Sequence, residues 1–442
     1  MNYATRVWWL NPAWVAGLMG LFVSIAAYLT PESAYLAQWK TPKYFDAHYL
    51  ALSISMTLLF ALGAGAALTL GRSREAASSN WKRDLPWDWI RRTFWLCVAL
   101  SITGYVVWGL VAVARGVSLR LVMAVLAGEK GAIYQMKEVY LVTVSGVTTL
   151  TQLGIVAVIL GVMLGAIEGW RKVGPALAVL FVLALIRAQL NAERLALIEL
   201  AIPAVVIGLR LIVFESPGLA GRLKVILQLA PIGAVLGLLC LFGVFEYFRS
   251  WNSFYAGGDQ SFWQFVVLRL TGYYVTALNN GALMAARFDS LDAPFSVFHF
   301  LWRFPVTGGL MAAAYPNIKL DNLVLDPYMQ VLDREANVEF NNSSALLPPI
   351  VDFGEAGALF FWLAAGLLCG LLYRWFLDGK ASGLLFYPIF FTGVTETTRI
   401  MYWGEGRAVT AYLILIPLAW LCGMWARRAY RAERRLQWLQ SH

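Results

Sequence analysis

Charge is scarce in this chain of 442 residues: 14% are Asp, Glu, Lys or Arg, whereas 60% are hydrophobic. A soluble domain carries roughly 25% charged and about 45–50% apolar residues, so a cytosolic enzyme and a disordered chain are both excluded. Cysteine is scarcer still. Cys97, Cys240, Cys369 and Cys422 each sit inside an apolar block with no C-x-x-C pair, which excludes a disulfide-stapled domain and a zinc framework. Three histidines, His48, His299 and His442, are too few for a histidine metal centre. There is no internal repeat of fixed period and no low-complexity tract. What the chain does have is Trp, Tyr and Phe at 19, 19 and 25 copies and a mean hydropathy of +0.63. Its apolar residues fall in blocks of about 20, the length that crosses a hydrocarbon core of about 30 Å. The expected fold is an all-α polytopic membrane protein.

The length criterion predicts about ten spans, with room for eleven or twelve. Their expected limits are 12–30, 48–70, 93–114, 141–166, 173–190, 195–213, 223–246, 355–376, 381–400 and 407–426. The first follows Asn11-Pro12 without a small-residue cleavage site and is expected to be a retained span. Orientation follows from the Lys/Arg bias of short loops. One set of loops holds nineteen basic residues, among them Arg6, Arg72, Arg74, Arg171, Lys172 and Arg427 to Arg435; the opposite set holds nine. Both termini are therefore expected in the cytoplasm, and most of the +9 formal charge reads as topology rather than nucleic-acid binding. The chain divides into helices over 1–246, a large outer loop over 247–349, helices over 350–426 and a basic tail over 427–442. Within the loop, residues 262–286 are expected to form a helix lying on or dipping into the membrane.

Ionisable groups inside apolar surroundings need a reason. Arg187 falls between two apolar runs, and one helix over 173–213 would be about 60 Å long, too long for a single crossing. A tight hairpin is expected, with Arg187, Asn191, Glu193, Arg194 and Glu199 near its outer tip. Snorkelling accounts for the arginines alone, but not for four charges with Asn and Gln. Arg269, Tyr273, Thr276, Asn280 and Arg287 share one helical face. That face is either the solvated side of an interfacial helix or a stripe of donors for phosphate and sugar hydroxyls. Asp352 and Glu355 open the eighth span, where a helix dipole favours carboxylates. Glu396, Arg399, Glu405 and Arg407 lie where the ninth span ends outside. Together these place cations on the outer face, which points to an anionic substrate handled there.

Three stretches carry a family resemblance: Arg187–Leu200 (R-x-Q-x-x-A-E-R-L-A-L-I-E-L), Arg269–Gly281 (R-L-T-G-Y-Y-V-T-A-L-N-N-G) and Asn342–Gly357 (N-S-S…D-F-G-E-x-G). With ten or so spans and one large late loop, the chain resembles the Wzy-type oligosaccharide repeat-unit polymerases of bacterial surface polysaccharides. The resemblance implies a GT-C-like glycosyltransferase of the bacterial inner membrane with its active site at the periplasmic face. Donor and acceptor would be undecaprenyl-pyrophosphate-linked oligosaccharides, and a flippase and a chain-length regulator would act in the same pathway. The leaving pyrophosphate needs cations, for which Arg187, Arg194, Arg269, Arg287 and Arg399 are the candidates, with Tyr273 and Asn280 beside them. A general base for the acceptor hydroxyl falls to Asp352 or Glu193, with Asp289, Asp292 and His299 as further candidates. The first external loop, 31–47, offers only the widely separated Glu32 and Asp46, so no metal cofactor is expected. Two rival readings are a ligase-like glycan transferase, for which His299 would matter, and a lipid-linked glycan transporter. The latter would place polar groups near the bilayer midplane.

Overall fold

A computed structural model of the chain describes residues 7–69, 81–191, 193–316 and 327–441. Arg6, Arg72 and Arg74, which contribute to the charge bias, lie outside the described residues. Eleven helices carry the architecture: α1 Pro12–Leu29, α2 Ala47–Thr69, α3 Trp87–Ala114, α4 Gly154–Glu168, α5 Trp170–Leu190, α6 Leu195–Glu215, α7 Lys224–Glu246, α8 Phe262–Arg287, α9 Pro348–Leu377, α10 Ala381–Glu396 and α11 Gly406–Ser441. Among the described residues there is no strand, only an isolated bridge between Ser344 and Ile400. Among the described residues nine helical segments are long and apolar enough to cross a membrane: α1 to α3, α4 with its preceding turn, α5 to α7, α9 and α11. The chain is a multi-pass membrane protein.

The expected span over 381–400 departs from this set. α10 has 16 residues, about 24 Å at 1.5 Å per residue. It stops because the chain beyond it is claimed by another segment: Thr397 accepts the Ala345 N–H at 2.8 Å, and Ile400 bridges Ser344. The expected span over 141–166 also begins later. Gly146 takes a left-handed conformation (φ +78°) and the first helical turn follows at Val147.

Two packing features set the frame. Every residue of α4 from Gly154 to Gly165 is buried, enclosed by α3, α5, α6, α10 and α11. A helix apolar on all sides has no face to keep in water and belongs in an interior. α2 and α9 cross at close range through small residues: a Cβ on Gly366 would overlap the Phe60 carbonyl, and one on Gly370 the Ala64 carbonyl. Packing of this kind replaces the hydrophobic drive that helices lack in lipid. α7, by contrast, turns Val225, Ile226, Leu229, Ile232, Val235 and Leu236 outward.

α8 is not one of the nine segments. It opens with a capping box in which Ser261 and Gln264 satisfy each other's backbone N–H groups, and it packs against α1, α7 and α9. At one end of the bundle α5 and α7 stop, α6 starts, and α10 hands over to α11. The same end carries the Arg249, Arg269 and Glu339 side chains of the 247–347 segment.

Candidate functional site

The hairpin expected between α5 and α6 is present, and its tip feeds two ionic groups. Arg187 donates Nε and Nη2 to Glu193 Oε2 at 2.9 and 2.5 Å, and Nη1 to Thr151 Oγ1 at 2.7 Å. Its guanidinium lies 5.2 Å from the Trp108 ring centroid. Arg407, from the first turn of α11, donates Nη1 to both oxygens of Glu199 at 3.1 and 3.2 Å and Nη2 to Glu193 at 3.2 Å. Two arginines thus meet two glutamates, and the charge closes on itself. Burial alone would raise the Glu193 pKa, but Arg187 and Arg407 outweigh it and hold the carboxyl below its usual range.

The second group does not close. Glu246, fully buried at the end of α7, takes Arg194 Nη2 on Oε1 at 2.5 Å and Arg269 Nε on Oε2 at 3.0 Å, with Arg249 Nη1 3.8 Å from Oε1. Arg269 also pairs with Glu339, and Arg399 Nε donates to Glu396 at 2.6 Å. Four arginines therefore face three glutamates. Tyr273 Oη accepts from Arg194 Nη2 at 3.2 Å and from Arg249 Nη1 at 3.1 Å. Phe242 supports Arg194 from below, 4.0 Å from guanidinium carbon to ring centroid, a cation–π contact strengthened by burial. Burial holds the Arg194 pKa below its usual value despite Tyr273 and Glu246, the mark of a cation short of negative partners.

Two turns meet at this group: 191–194 between α5 and α6, and 397–402 after α10. They carry five buried polar atoms that, among the described residues, make no hydrogen bond: Asn191 Oδ1, Arg194 Nη1, Thr398 Oγ1, Arg399 Nη2 and Tyr402 Oη. Buried polar groups are ordinarily paired, and leaving one unpaired costs about 1–3 kcal/mol, more if it is charged. Two of the five belong to arginines.

The other sequence candidates lie elsewhere. Asn280 is a clip, donating Nδ2 to the carbonyls of Phe340 and Asn342 at 2.7 and 2.8 Å. Arg287, at the far end of α8, pairs with Glu335, which Tyr44 also reaches. Asp352 is fully buried. Its Oδ1 accepts Ser296 N–H and Oγ–H at 2.8 and 2.7 Å, and its Oδ2 accepts Val297 N–H at 2.8 Å. With both oxygens so engaged, Asp352 staples the 290–297 loop to the start of α9. His299 packs edge-on against Phe295, ring centroids 5.4 Å apart, while Asp289 and Asp292 are exposed. Glu355, beyond a break at Gly354 (φ +69°), pairs with His48 at 2.8 Å on the surface.

Sequence reasoning missed Glu246, Arg249 and Glu339. Glu246 was detectable, since it interrupts the apolar run Phe242–Phe248 at a span end. Among the described residues no group of three or more His, Cys, Asp and Glu side chains is placed to hold a metal ion. No family model, characterised protein or solved structure matches this chain.

Proposed function

We propose that this chain is a Wzy-type membrane glycosyltransferase that polymerises oligosaccharide repeat units linked to a polyprenyl pyrophosphate, undecaprenyl pyrophosphate in a bacterial inner membrane. The observation that carries the reading is the uncompensated arginine group at the junction of the two turns, where Arg194 Nη1 and Arg399 Nη2 are buried without partners. Guanidinium groups match phosphate oxygens in charge and geometry. In the reaction a hydroxyl of the acceptor glycan attacks the anomeric carbon of the donor glycan, and the bond to pyrophosphate breaks. Negative charge grows on the departing lipid pyrophosphate, and preorganised cations in a water-poor site stabilise it there. Arg194 and Arg399 fill that role in this proposal, with Arg269 and Arg249 setting the field behind them. Arg187 holds the hairpin in register through Glu193, and Asp352 shapes the loop rather than moving a proton. The site faces the periplasm, with α10 making a tenth crossing that returns both termini to the cytoplasm, and a flippase and a chain-length regulator supply and limit the substrate. No metal takes part in this scheme.

The decisive experiment complements a strain deleted for the gene with Arg194→Ala and Arg399→Ala. Surface glycan confined to single repeats, with normal protein levels, is the expected result. Normal long chains would overturn the assignment. Long but unattached lipid-linked glycan in the deletion strain would identify a ligase instead, and repeat units trapped on the cytoplasmic leaflet a transporter. EDTA should leave polymerisation by the purified protein unchanged; loss that is reversed by Mg²⁺ would sink the metal-free scheme.

A further inference from the structure

Polyprenyl pyrophosphate leaves as a stable anion and needs no proton. A sugar hydroxyl is a weak nucleophile until its own proton is taken, so the demand on the protein falls on the acceptor side. The carboxylates around the arginines suit that task poorly. Glu193, Glu246 and Glu396 each hold an arginine, so a carboxylate oxygen that would take the proton is already engaged.

Tyr273 is differently placed. A phenol oxygen has two acceptor positions and one proton. Arg194 and Arg249 occupy the two acceptor positions, at 3.2 and 3.1 Å. The remaining position carries the proton in the phenol and a lone pair in the phenolate. The ring is wedged edge-on between Phe242 and Phe340, with centroids 5.4 and 5.0 Å away, so the oxygen stays in register. Arg194 reaches Tyr273 through Nη2, while its Nη1 has no partner. One guanidinium therefore links the phenol to the point at which the pyrophosphate is proposed to sit. The charged groups facing Tyr273 are Arg194 from the α5–α6 turn, Glu246 at the end of α7, Arg249 after it, Arg269 from its own helix and Arg399 after α10. Burial alone would raise the Tyr273 pKa, but Arg249 and Arg194 more than offset it and hold it below the usual tyrosine value.

We propose that Tyr273 is the general base of the transfer, acting as a phenolate held by Arg194 and Arg249; this rests on the glycosyltransferase reading above. The acceptor O–H bond breaks and its proton passes to the Tyr273 oxygen. The acceptor oxygen forms the new bond to the anomeric carbon. The carbon–oxygen bond to pyrophosphate breaks, and its electron pair leaves with the lipid pyrophosphate. Tyr273 then returns its proton to water.

The test uses full-length protein in liposomes, with lipid-pyrophosphate-linked repeat units extracted from cells lacking the gene and undecaprenyl pyrophosphate as the binding probe. Tyr273→Phe should lower kcat by about 10²-fold or more while binding of undecaprenyl pyrophosphate stays within about 3-fold. Activity needs the deprotonated form, so kcat/KM should rise with pH through the Tyr273 ionisation and then level off. Replacing Tyr273 by 3-fluorotyrosine, which keeps both arginine contacts and lowers the phenol pKa, should move that rise to lower pH. Fluorine NMR of the same variant, without substrate, should show the resonance titrating below free 3-fluorotyrosine. A Tyr273→Phe protein with wild-type rate, or a rise that fluorination does not move, overturns the role of Tyr273 while leaving the transferase reading intact. Wild-type protein that neither binds undecaprenyl pyrophosphate nor extends the glycan overturns the transferase reading itself.

Discussion

Arg194 and Arg407 look alike in the sequence, each an arginine at a helix start near glutamates, and they end in opposite conditions. Arg407 is matched by Glu199 and Glu193; Arg194 shares Glu246 with two other arginines. Breaking a buried, matched pair leaves a charge stranded, at a cost of about 3–5 kcal/mol. Glu199→Gln should therefore lower stability by roughly that amount in unfolding of the detergent-solubilised protein. Arg287→Ala, which removes a half-exposed pair with Glu335, should cost only about 0–1 kcal/mol. The depressed Glu193 pKa has a sign that can be followed. Its contribution is present above the ordinary carboxylate range and is lost as pH falls through the lower value of the folded state. Glu193→Gln should flatten the acid side of the stability–pH curve. Arg187, Arg194, Arg269 and Arg399 were legible because a cation in an apolar setting is costly whatever the fold. Their partners were not, because pairing depends on which helix ends meet, and spacing along the chain does not carry that.

Helices show the same division between what is local and what is imposed. α8 was legible nearly to the residue, since its face pattern is written locally. α10 was not. Its expected limit at Ile400 runs past the polar stretch Thr395–Arg399, and the chain beyond Glu396 is held by Ala345 and Ser344, distant in sequence. The start of α9 was read as two carboxylates at a helix dipole; in the fold the helix begins at Pro348 and breaks at Gly354. Asp352 consequently faces loop N–H groups, not a terminus. Asp352→Asn should release the 290–297 loop, seen as faster limited proteolysis there, with binding of undecaprenyl pyrophosphate unchanged. At the α2–α9 crossing, Gly366→Leu would press on the Phe60 backbone and should cost about 1–3 kcal/mol or more, read as a lowered Tm.

The bundle has two ends of different character. One holds the arginine groups described above; the other holds Lys82 with Glu215 and Arg91 with Glu168. If the first end faces the periplasm, a cysteine placed at Asp259 in a background without the four native cysteines should react with an impermeant maleimide in intact spheroplasts. One at Lys172 should react only after lysis. Arg407 neutralises Glu199 from 208 positions further along the chain, and this bears on the order in which the protein is made. During synthesis α6 reaches the bilayer with Glu199 unmatched, and it stays unmatched until the last helix is translated. The 397–402 turn, which carries Arg399 of the proposed anion site, arrives on the same final stretch. On the proposed function, a nascent or truncated chain should be both unstable and unable to bind the lipid pyrophosphate. A chain stopped before Glu396 should be cleared by membrane proteolysis, and any that survives should bind no undecaprenyl pyrophosphate.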